Sequence, residues 1–404
     1  MIRTSLRVAI SGAGVAGPAL AYWLLRCGHQ PTLIEQAPAF RTGGYMVNFW
    51  GPGYQVAQRM GIEGALREAG YRVQRLDAVD SQGQVGASIQ IDTFESLASG
   101  RCTSLPRGDL AAAVFAAVDG RCETIFGDAI TSVQSLDHEV VLGLRHGGQR
   151  TFDLLVGADG LHSNVRRLVF GPDADFERPL GCRVAACVVE GYRPRTERAY
   201  VTHDVSGRHV ARFSLRGDRT LFLFVFRGGD VHDPASLDAR KALLRQVYAD
   251  VGWECPRMLD AVDAVGDLYF DVVSQVRMPA WSRGRVVLVG DAAASVSLLG
   301  GEGTGLALTE AYVLAGELAR AGGDHRRAFP AYEHLLRPYI EREQSAAREL
   351  VAYVAVERDV GVRSMHQPWL NGLIAGRAAH AEFTLPEYGM AAQVEPSNDA
   401  FPIG

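Results

Sequence analysis

The chain has 404 residues, of which 47% are hydrophobic and 22% charged, and its formal net charge is −5. This length is enough for two structural domains, or for one large domain with an insertion, and it exceeds that of a simple binding module. The near-balanced charge and the lack of a polybasic tract argue against nucleic acid as a partner. The six cysteines form no Cys-x-x-Cys pair and no histidine lies at ligand spacing, so neither a metal site nor a disulfide scaffold is expected.

The first predicted element is a βαβ unit. Apolar residues predict a strand over 8–11, a helix over 15–27 that Gly28 ends, and a second, parallel strand over 32–35. The arginines before this apolar run are also compatible with a secretory signal, but the glycines and Pro18 inside the run favour a strand and a nucleotide-binding turn. No other stretch approaches about 18 unbroken apolar residues, so we expect no membrane span and a cytoplasmic protein.

The turn of this unit carries a Gly-x-Gly-x-x-Gly fingerprint, formed by Gly12, Ala13, Gly14, Val15, Ala16 and Gly17. It follows a strand and opens a helix, and Glu35 stands at the end of the next strand, 18 residues after the last glycine. In such a turn the glycines let the backbone approach a pyrophosphate, the helix N-terminus stabilises its charge, and the acid accepts hydrogen bonds from ribose hydroxyls. The unit predicts a dinucleotide site, but the fingerprint serves NAD and FAD equally well.

Two later strands end at the same kind of site. The strand predicted over 152–158 precedes Asp159, and the strand predicted over 285–289 precedes Asp291. Because the carboxyl ends of parallel strands meet at one edge of a sheet, these ends predict a single ligand above that edge. An alternative interpretation is that the two aspartates only cap the helices that follow them.

The chain after Asp291 is glycine-rich and then helical. Gly301, Gly303 and Thr304 lie in a stretch whose backbone can lie against a flat ring. Helices are predicted over 303–320 and from 328 to about 356. The N-terminus of the first of these helices can stabilise negative charge on such a ring.

Between residues 178 and 273 the sequence changes to β-branched and aromatic runs, which predict a largely antiparallel β-sheet. We interpret this region as a substrate-binding domain inserted into an α/β domain. The α/β domain would be assembled from residues 1–177, with a possible excursion into the substrate domain near 70–105, and from residues 274–404, which include C-terminal helices.

One predicted strand of the inserted sheet places Phe222 and Phe224 on one face, with leucines on the other. An aromatic face suits a pocket for a planar substrate, but it equally suits packing against the domain's own helices. Arg212 lies on the strand before a hairpin turn predicted at Gly217. It is a candidate for orienting an acidic or phenolic group of the substrate, and the alternative is that it is a surface residue. Asn48 is a further candidate for contacting the substrate.

Two segments carry a family resemblance: Val-Gly-Ala-Asp-Gly-Leu-His-Ser-Asn-Val-Arg at 156–166 and Leu-Val-Gly-Asp-Ala-Ala at 288–293. With the N-terminal fingerprint they resemble, in order over most of the chain, the class A FAD-dependent monooxygenases of the p-hydroxybenzoate hydroxylase-like family. The resemblance implies a Rossmann-like FAD-binding domain with non-covalent FAD. It also implies that Asp291 holds the ribityl chain of the flavin, and that the motif around Asp159 contacts both the flavin nucleotide and NADPH.

Two arginines, Arg41 and Arg107, match family positions that face the cofactor. Arginine is also common at protein surfaces, so either of them is alternatively interpreted as a surface residue. The sequence departs from the family after the last aspartate, where the family usually has Ala-Ala-His and then a proline pair. The family commonly has asparagine where Gly305 stands here. At the positions of that histidine and proline pair this sequence has Ala294, Ser297 and Leu298. These departures leave the substrate class open.

The resemblance implies a single-component monooxygenase. In that activity NADPH or NADH reduces the flavin, O2 adds at carbon C4a, and the hydroperoxide oxygenates, chiefly hydroxylates, an aromatic or polycyclic small molecule. No second fingerprint follows a strand, so the reductant is expected to bind transiently. The sequence singles out no catalytic acid or base. Another FAD-dependent redox enzyme (an oxidase, dehydrogenase or reductase) and a non-catalytic flavin-binding protein are the alternatives, and the oligomeric state is not determined.

Overall fold

The computed structural model describes residues 5–40, 44–90, 102–228, 234–354 and 383–390. The strands in chain order are β1 (Arg7–Ser11), β2 (Gln30–Glu35), β3 (Met46–Trp50), β4 (Arg75–Val79), β5 (Val85–Gln90), β6 (Cys102–Pro106), β7 (Glu123–Phe126), β8 (Ile130–Ser135), β9 (Val140–Leu144), β10 (Gln149–Phe152), β11 (Leu154–Gly157), β12 (Glu177–Glu190), β13 (Ala199–Val205), β14 (Arg208–Leu215), β15 (Arg219–Arg227), β16 (Tyr269–Val276), β17 (Ser282–Arg283) and β18 (Val286–Leu288).

The helices in chain order are α1 (Ala16–Arg26), α2 (Gly51–Met60), α3 (Glu63–Ala69), α4 (Arg107–Ala116), α5 (Asn164–Val169), α6 (Asp173–Phe176), α7 (Leu237–Val247), α8 (Cys255–Asp263), α9 (Asp291–Ala294), α10 (Gly303–Arg320) and α11 (His325–Val354), with a 3-10 turn at Leu298–Gly300. Within the part of the chain that the structure describes, no helix is both long enough and apolar enough to cross a bilayer.

A six-stranded sheet in the order β17-β18-β11-β1-β2-β7 forms the first layer. All its neighbours are parallel except the short edge pair β17–β18. The central strands are runs of valine, leucine and isoleucine that are buried on both faces, as expected when helices cover a parallel sheet. The carboxyl ends of β1, β11 and β18 therefore meet at one edge of this sheet.

A seven-stranded sheet in the order β16-β12-β15-β14-β13-β4-β5 forms the second layer. It is antiparallel except for the pair β13–β4. Strands β4 and β5 come from the segment near 70–105 for which an excursion is predicted, although the domain limits themselves stay a prediction. The sheet's Phe222 and Phe224 pack against α7 and α8, whereas Val225 and its aliphatic neighbours face the first domain.

Candidate active site

A cavity of about 470 Å³ lies between the carboxyl edge of the six-stranded sheet and the seven-stranded sheet. Its first wall is formed by the fingerprint turn and the ends of β2, β11 and β18. Its second wall comes from β3 and β16. The predicted residues that line it are Gly12, Ala13, Gly14, Val15, Ala16, Glu35, Asn48, Arg107, Asp159, Asp291, Gly301, Gly303 and Thr304. Gly17 lies directly behind the turn.

The fingerprint turn is fixed by glycines at two close approaches. Gly12 has a φ of +105°, and a Cβ there would lie 2.5 Å from the Ala158 carbonyl oxygen. A Cβ at Gly17 would lie 2.0 Å from the Gly12 carbonyl oxygen. At Gly14, by contrast, an added Cβ meets no atom within 4 Å, because that position faces the cavity. The turn therefore leaves room for a phosphate group at the start of α1.

Glu35 supports the turn as well as facing the cavity. Its carboxylate accepts a hydrogen bond from the Ala13 backbone N–H at 2.9 Å and from the Ala37 N–H at 2.8 Å. A carboxylate has about four acceptor positions, so two remain for ribose hydroxyls. The sequence pattern indicates only the ribose role; the contact with Ala13 follows from the return of β2 beside the turn.

Asp159 lies at the cavity wall and accepts hydrogen bonds from the start of α5, whose N-cap residue is Ser163. Its carboxylate accepts hydrogen bonds from the Asn164 and Val165 N–H groups at 2.9 and 3.0 Å, from the Ser11 hydroxyl at 3.2 Å, and from the Ser163 hydroxyl. Burial raises the pKa of Asp159, and these hydrogen bonds oppose the increase. The contacts are those that the capping interpretation predicts, and a nucleotide role stays a prediction.

Arg166, from the same motif, joins two cofactor motifs and has no predicted role. Its fully buried guanidinium donates to the Leu161 carbonyl at 2.6 Å and to the Ala292 carbonyl at 3.2 Å, and pairs with Asp173 at 2.6 Å. It therefore fixes the turn after β11 relative to the turn after β18. The only feature of the sequence that pointed to Arg166 was its place in the motif at 156–166.

Asp291, the first residue of α9, faces Arg107 across the cavity. Burial raises the pKa of the Asp291 carboxyl, and the positive charge of Arg107 and a hydrogen bond with Ser295 lower it. Among the described residues, no carboxylate forms a salt bridge with Arg107. A guanidinium and a carboxylate that both face one cavity can bind the polar edge and the hydroxyl chain of a flavin.

A buried acid, Glu310, holds the turn before Asp291 and was not recognised in the sequence. Its carboxylate accepts from the Gly290 N–H at 2.7 Å and from the Tyr332 hydroxyl at 2.8 Å. Burial raises the pKa of Glu310 to about 7. Gly290 has a φ of +63°, so the turn adopts a conformation that side chains other than glycine rarely allow. The feature of the sequence that could have indicated Glu310 is an acid on the apolar face of the helix predicted over 303–320.

The loop before α10 carries a strained residue at the place where the sequence departs from the family. Ser297, which is buried and lines the cavity, has a φ of +94°. Non-glycine residues in this region are uncommon and concentrate at functional sites. The structure also explains why position 305 is a glycine: the backbones of α2 and α10 approach each other closely at Gly53 and Gly305.

A linked set of polar side chains connects the two walls. The Tyr269 hydroxyl donates to Asp271 at 3.3 Å, and the other carboxylate oxygen of Asp271 lies 3.0 Å from His162 Nε2. The hydrogen bond with Asp271 raises the pKa of His162. Tyr45 packs beside Tyr269, with ring centroids 5.8 Å apart. The sequence indicated no role for these side chains, because they come from three segments that lie more than 100 residues apart.

Of the predicted substrate contacts, only Asn48 lines the cavity, where it accepts a hydrogen bond from Ser104 at 2.7 Å. The prediction for Phe222 and Phe224 is wrong, since both rings are fully buried against α7 and α8. The prediction for Arg212 is also wrong. Its guanidinium forms two hydrogen bonds to Glu254, at 2.9 and 3.0 Å, on the helix-covered face of the sheet. Arg41 lies outside the described residues.

Among the described residues, no three histidine, cysteine, aspartate or glutamate side chains are grouped so that they could hold a metal ion. Residues 5–352 match the family model described as an FAD binding domain. The chain belongs to the class A FAD-dependent monooxygenases of the p-hydroxybenzoate hydroxylase-like family. This confirms the family resemblance, the α/β fold class and the expectation of an FAD-dependent oxidoreductase.

This monooxygenase is 31% identical over 400 residues to a flavin-dependent monooxygenase of Legionella longbeachae serogroup 1 (strain NSW150), with 95% of this chain and 98% of the relative covered. It is similar to the crystal structure of tetracycline destructase Tet(55), with a TM-score of 0.84 and 30% identity over 96% of this chain and 100% of that one. Klebsiella pneumoniae HpxO complexed with FAD and uric acid shares the fold, with a TM-score of 0.77 and 20% identity over 93% and 97% of the two chains.

Proposed function

We propose that this monooxygenase uses NADPH or NADH and dioxygen to hydroxylate an aromatic or polycyclic small molecule. The observation that carries the proposal is the continuity of the cavity between the two walls. The cavity runs from the fingerprint turn, past Asp291 and Arg107, to Asn48 and Tyr269 on the second wall. A cofactor held along the first wall would thus have its reactive part beside the second domain.

The residues of the first wall fit FAD. The open position at Gly14 has room for a pyrophosphate, and the free acceptor positions of Glu35 suit a ribose. Asp291 and Arg107 suit the ribityl chain and the flavin edge, and α10 begins at Gly303 with its positive end toward the cavity. When bound, FAD would supply the redox chemistry, namely its reduction by the nucleotide and the activation of dioxygen.

The second wall supports the proposed substrate class. The second wall gives the cavity an apolar lining, formed by Met46, Val47 and Val272, and Leu298 lies beside them. Tyr269, Asp271 and Asn48 supply a small number of polar groups at its edge. An apolar surface with few polar groups suits a flat, largely apolar ligand that carries hydroxyl groups. Tetracycline destructase, whose name denotes a polycyclic substrate, supports the same class.

The test is a turnover experiment with labelled dioxygen. FAD-loaded protein, NADPH and a panel of phenolic and polycyclic compounds, including tetracycline, should give a product that contains one labelled oxygen atom. Asp291→Ala should lose FAD and product together, whereas the exposed control Asp137→Ala should keep both. Consumption of NADPH with hydrogen peroxide as the sole oxygen product, for every compound, would contradict the proposal in favour of an oxidase.

A further inference from the structure

A second cavity, of about 430 Å³, lies on the other side of the loop that precedes α10. It is bounded by α11, by the start of β12 and by the segment after β16. It shares no lining residue with the flavin cavity. Its volume is within the range of roughly 300–1,000 Å³ that is typical of small-molecule pockets.

The floor of this second cavity is apolar and its rim is cationic. Buried side chains form the floor: Phe176, Val276, Met278, Trp281 and Ile340. Three arginines lie at the rim, together with two acids: Arg178, Arg277, Arg337, Asp175 and Glu341. An apolar floor beneath a charged rim suits an amphipathic ligand of opposite charge.

Two of the rim arginines have no carboxylate partner among the described residues. Arg337 is paired with Glu333 and Glu341. Arg178, however, donates only to backbone carbonyl groups, and the guanidinium of Arg277 donates only to the Gln275 side-chain oxygen at 3.1 Å.

The electrostatic surroundings of Arg277 favour an anion. Burial lowers the pKa of Arg277, and the positive charges of Arg348 and Arg178 lower it further, while Glu341 opposes them. Because like charges repel, an anion placed among these guanidinium groups would relieve the repulsion.

We propose that this cavity binds a small amphipathic carboxylic acid, with its carboxylate between Arg178 and Arg277 and its apolar part against the floor. A guanidinium fork matches the planar geometry of a carboxylate. The proposal goes beyond the oxygenation activity, since this second site contributes no group to the flavin cavity.

Hydrogen bonds connect this site to the flavin loop. Gln275, which accepts from Arg277, donates from its Nε2 to the Val296 carbonyl at 3.1 Å. The neighbouring Gln344 lines the second cavity and donates to the Ser295 carbonyl at 3.0 Å. These carbonyl groups directly precede Ser297, the strained residue in the wall of the flavin cavity. An acid that draws Arg277 toward itself would therefore change the hydrogen bonding of this loop, and binding at the two sites would be coupled.

The binding test uses octanoate as the probe and FAD-loaded protein, with isothermal titration calorimetry as the measurement. Octanoate should bind saturably, and the uncharged octanol should bind at least about tenfold more weakly, because it lacks the charge-assisted hydrogen bonds. Arg277→Gln and Arg178→Gln should each weaken octanoate by about tenfold, whereas the exposed control Arg145→Gln should leave it unchanged. Thermal unfolding of each variant establishes that it is folded.

Four outcomes of this titration would overturn the proposal. They are no saturable binding of octanoate, equal binding of octanol, equal octanoate affinity in folded Arg277→Gln, and inorganic phosphate binding as tightly as octanoate. Octanoate held in the flavin cavity instead would give the third of these results.

A second measurement tests the coupling. Octanoate should shift the visible absorption of the bound flavin, and Gln275→Met should keep octanoate binding but lose this shift. An unshifted spectrum in the unmodified protein, or an equal shift in the variant, would overturn the coupling. Neither measurement depends on NADPH or on the substrate, so failure of the proposed function would leave both results interpretable.

Discussion

Replacing Gly53 with alanine tests how closely two helices must approach each other to form the flavin cavity. Helices α2 and α10 cross where a Cβ on Gly53 would lie 2.4 Å from the Gly305 Cα and 2.6 Å from its carbonyl oxygen. Both are backbone atoms, so no side-chain rotation can relieve the overlap. Because carbon atoms are in favourable contact at about 3.5–4.0 Å, the two helices would have to separate by about 1 Å.

The expected cost follows from this overlap. Overpacking in a well-packed core costs about 1–3 kcal/mol. With an unfolding entropy of about 2.1 cal/mol/K per residue, that cost corresponds to a Tm lower by roughly 1–4 °C for a chain of this length. Helix α10 begins with Gly303 and Thr304, which line the cavity, so its displacement should also weaken FAD binding.

The assay is thermal unfolding with and without FAD, together with FAD affinity from flavin fluorescence. Gly64→Ala is the matched control, because Gly64 is an exposed residue of α3 where an added Cβ meets no atom within 4 Å. Alanine is favoured over glycine in a helix by about 0.5–1 kcal/mol, so this control should be at least as stable as the unmodified protein. Unchanged Tm and FAD affinity in Gly53→Ala would refute the reasoning.

Three further predictions concern acids of the site. The raised pKa of Glu310 in the folded protein means that the unmodified protein loses stability as the pH rises from about 4.5 to about 7, because over that range the unfolded chain has already released the Glu310 proton. Glu310→Gln removes this titration, so the stability of the variant relative to the unmodified protein should increase over the same range. Parallel profiles of Tm against pH for the two proteins would contradict this. Glu35→Gln should weaken FAD by about 1.5–3 kcal/mol, and Asp291→Ala by more, in equilibrium dialysis; equal FAD retention would count against Asp291 as a ligand. Asp159→Ala should lower stability by about 1–2 kcal/mol, because the Asn164 and Val165 N–H groups at the start of α5 lose their acceptor while Ser163 remains the N-cap. A normal rate of reduction by NADPH in the flavin-saturated variant would contradict a nucleotide role for Asp159.

Features that depend on neighbouring residues were predictable from the sequence. The helix predicted over 303–320 is observed as Gly303–Arg320. The hairpin turn predicted at Gly217 is confirmed, with φ of +67° there and +56° at Asp218. Two consecutive positive φ values are what a type I′ turn requires, and glycine and aspartate adopt them more readily than most residues.

The strand predicted over 152–158 is observed as Leu154–Gly157, but its first predicted residue, Phe152, ends a different strand. Asp153, between β10 and β11, accepts a hydrogen bond from the Arg7 N–H at 2.7 Å. Strand β10 pairs antiparallel with β9, and β11 pairs parallel with β1. The sequence pattern does not show that Phe152 and Leu154 pair in different sheets, because pairing depends on distant strands.

The sequence by itself determined the βαβ unit, the approach of three strand ends and the family, because each rests on residue types at short, fixed spacing. Alternation along β15 likewise determined that Phe222 and Val225 lie on opposite faces, but not which face packs against the FAD half of the molecule. The tertiary structure decided that, by packing α7 and α8 against the aromatic face. It also decided the pairing of Arg212 with Glu254, 42 residues away, since a charged side chain finds its partner through the folded path of the chain.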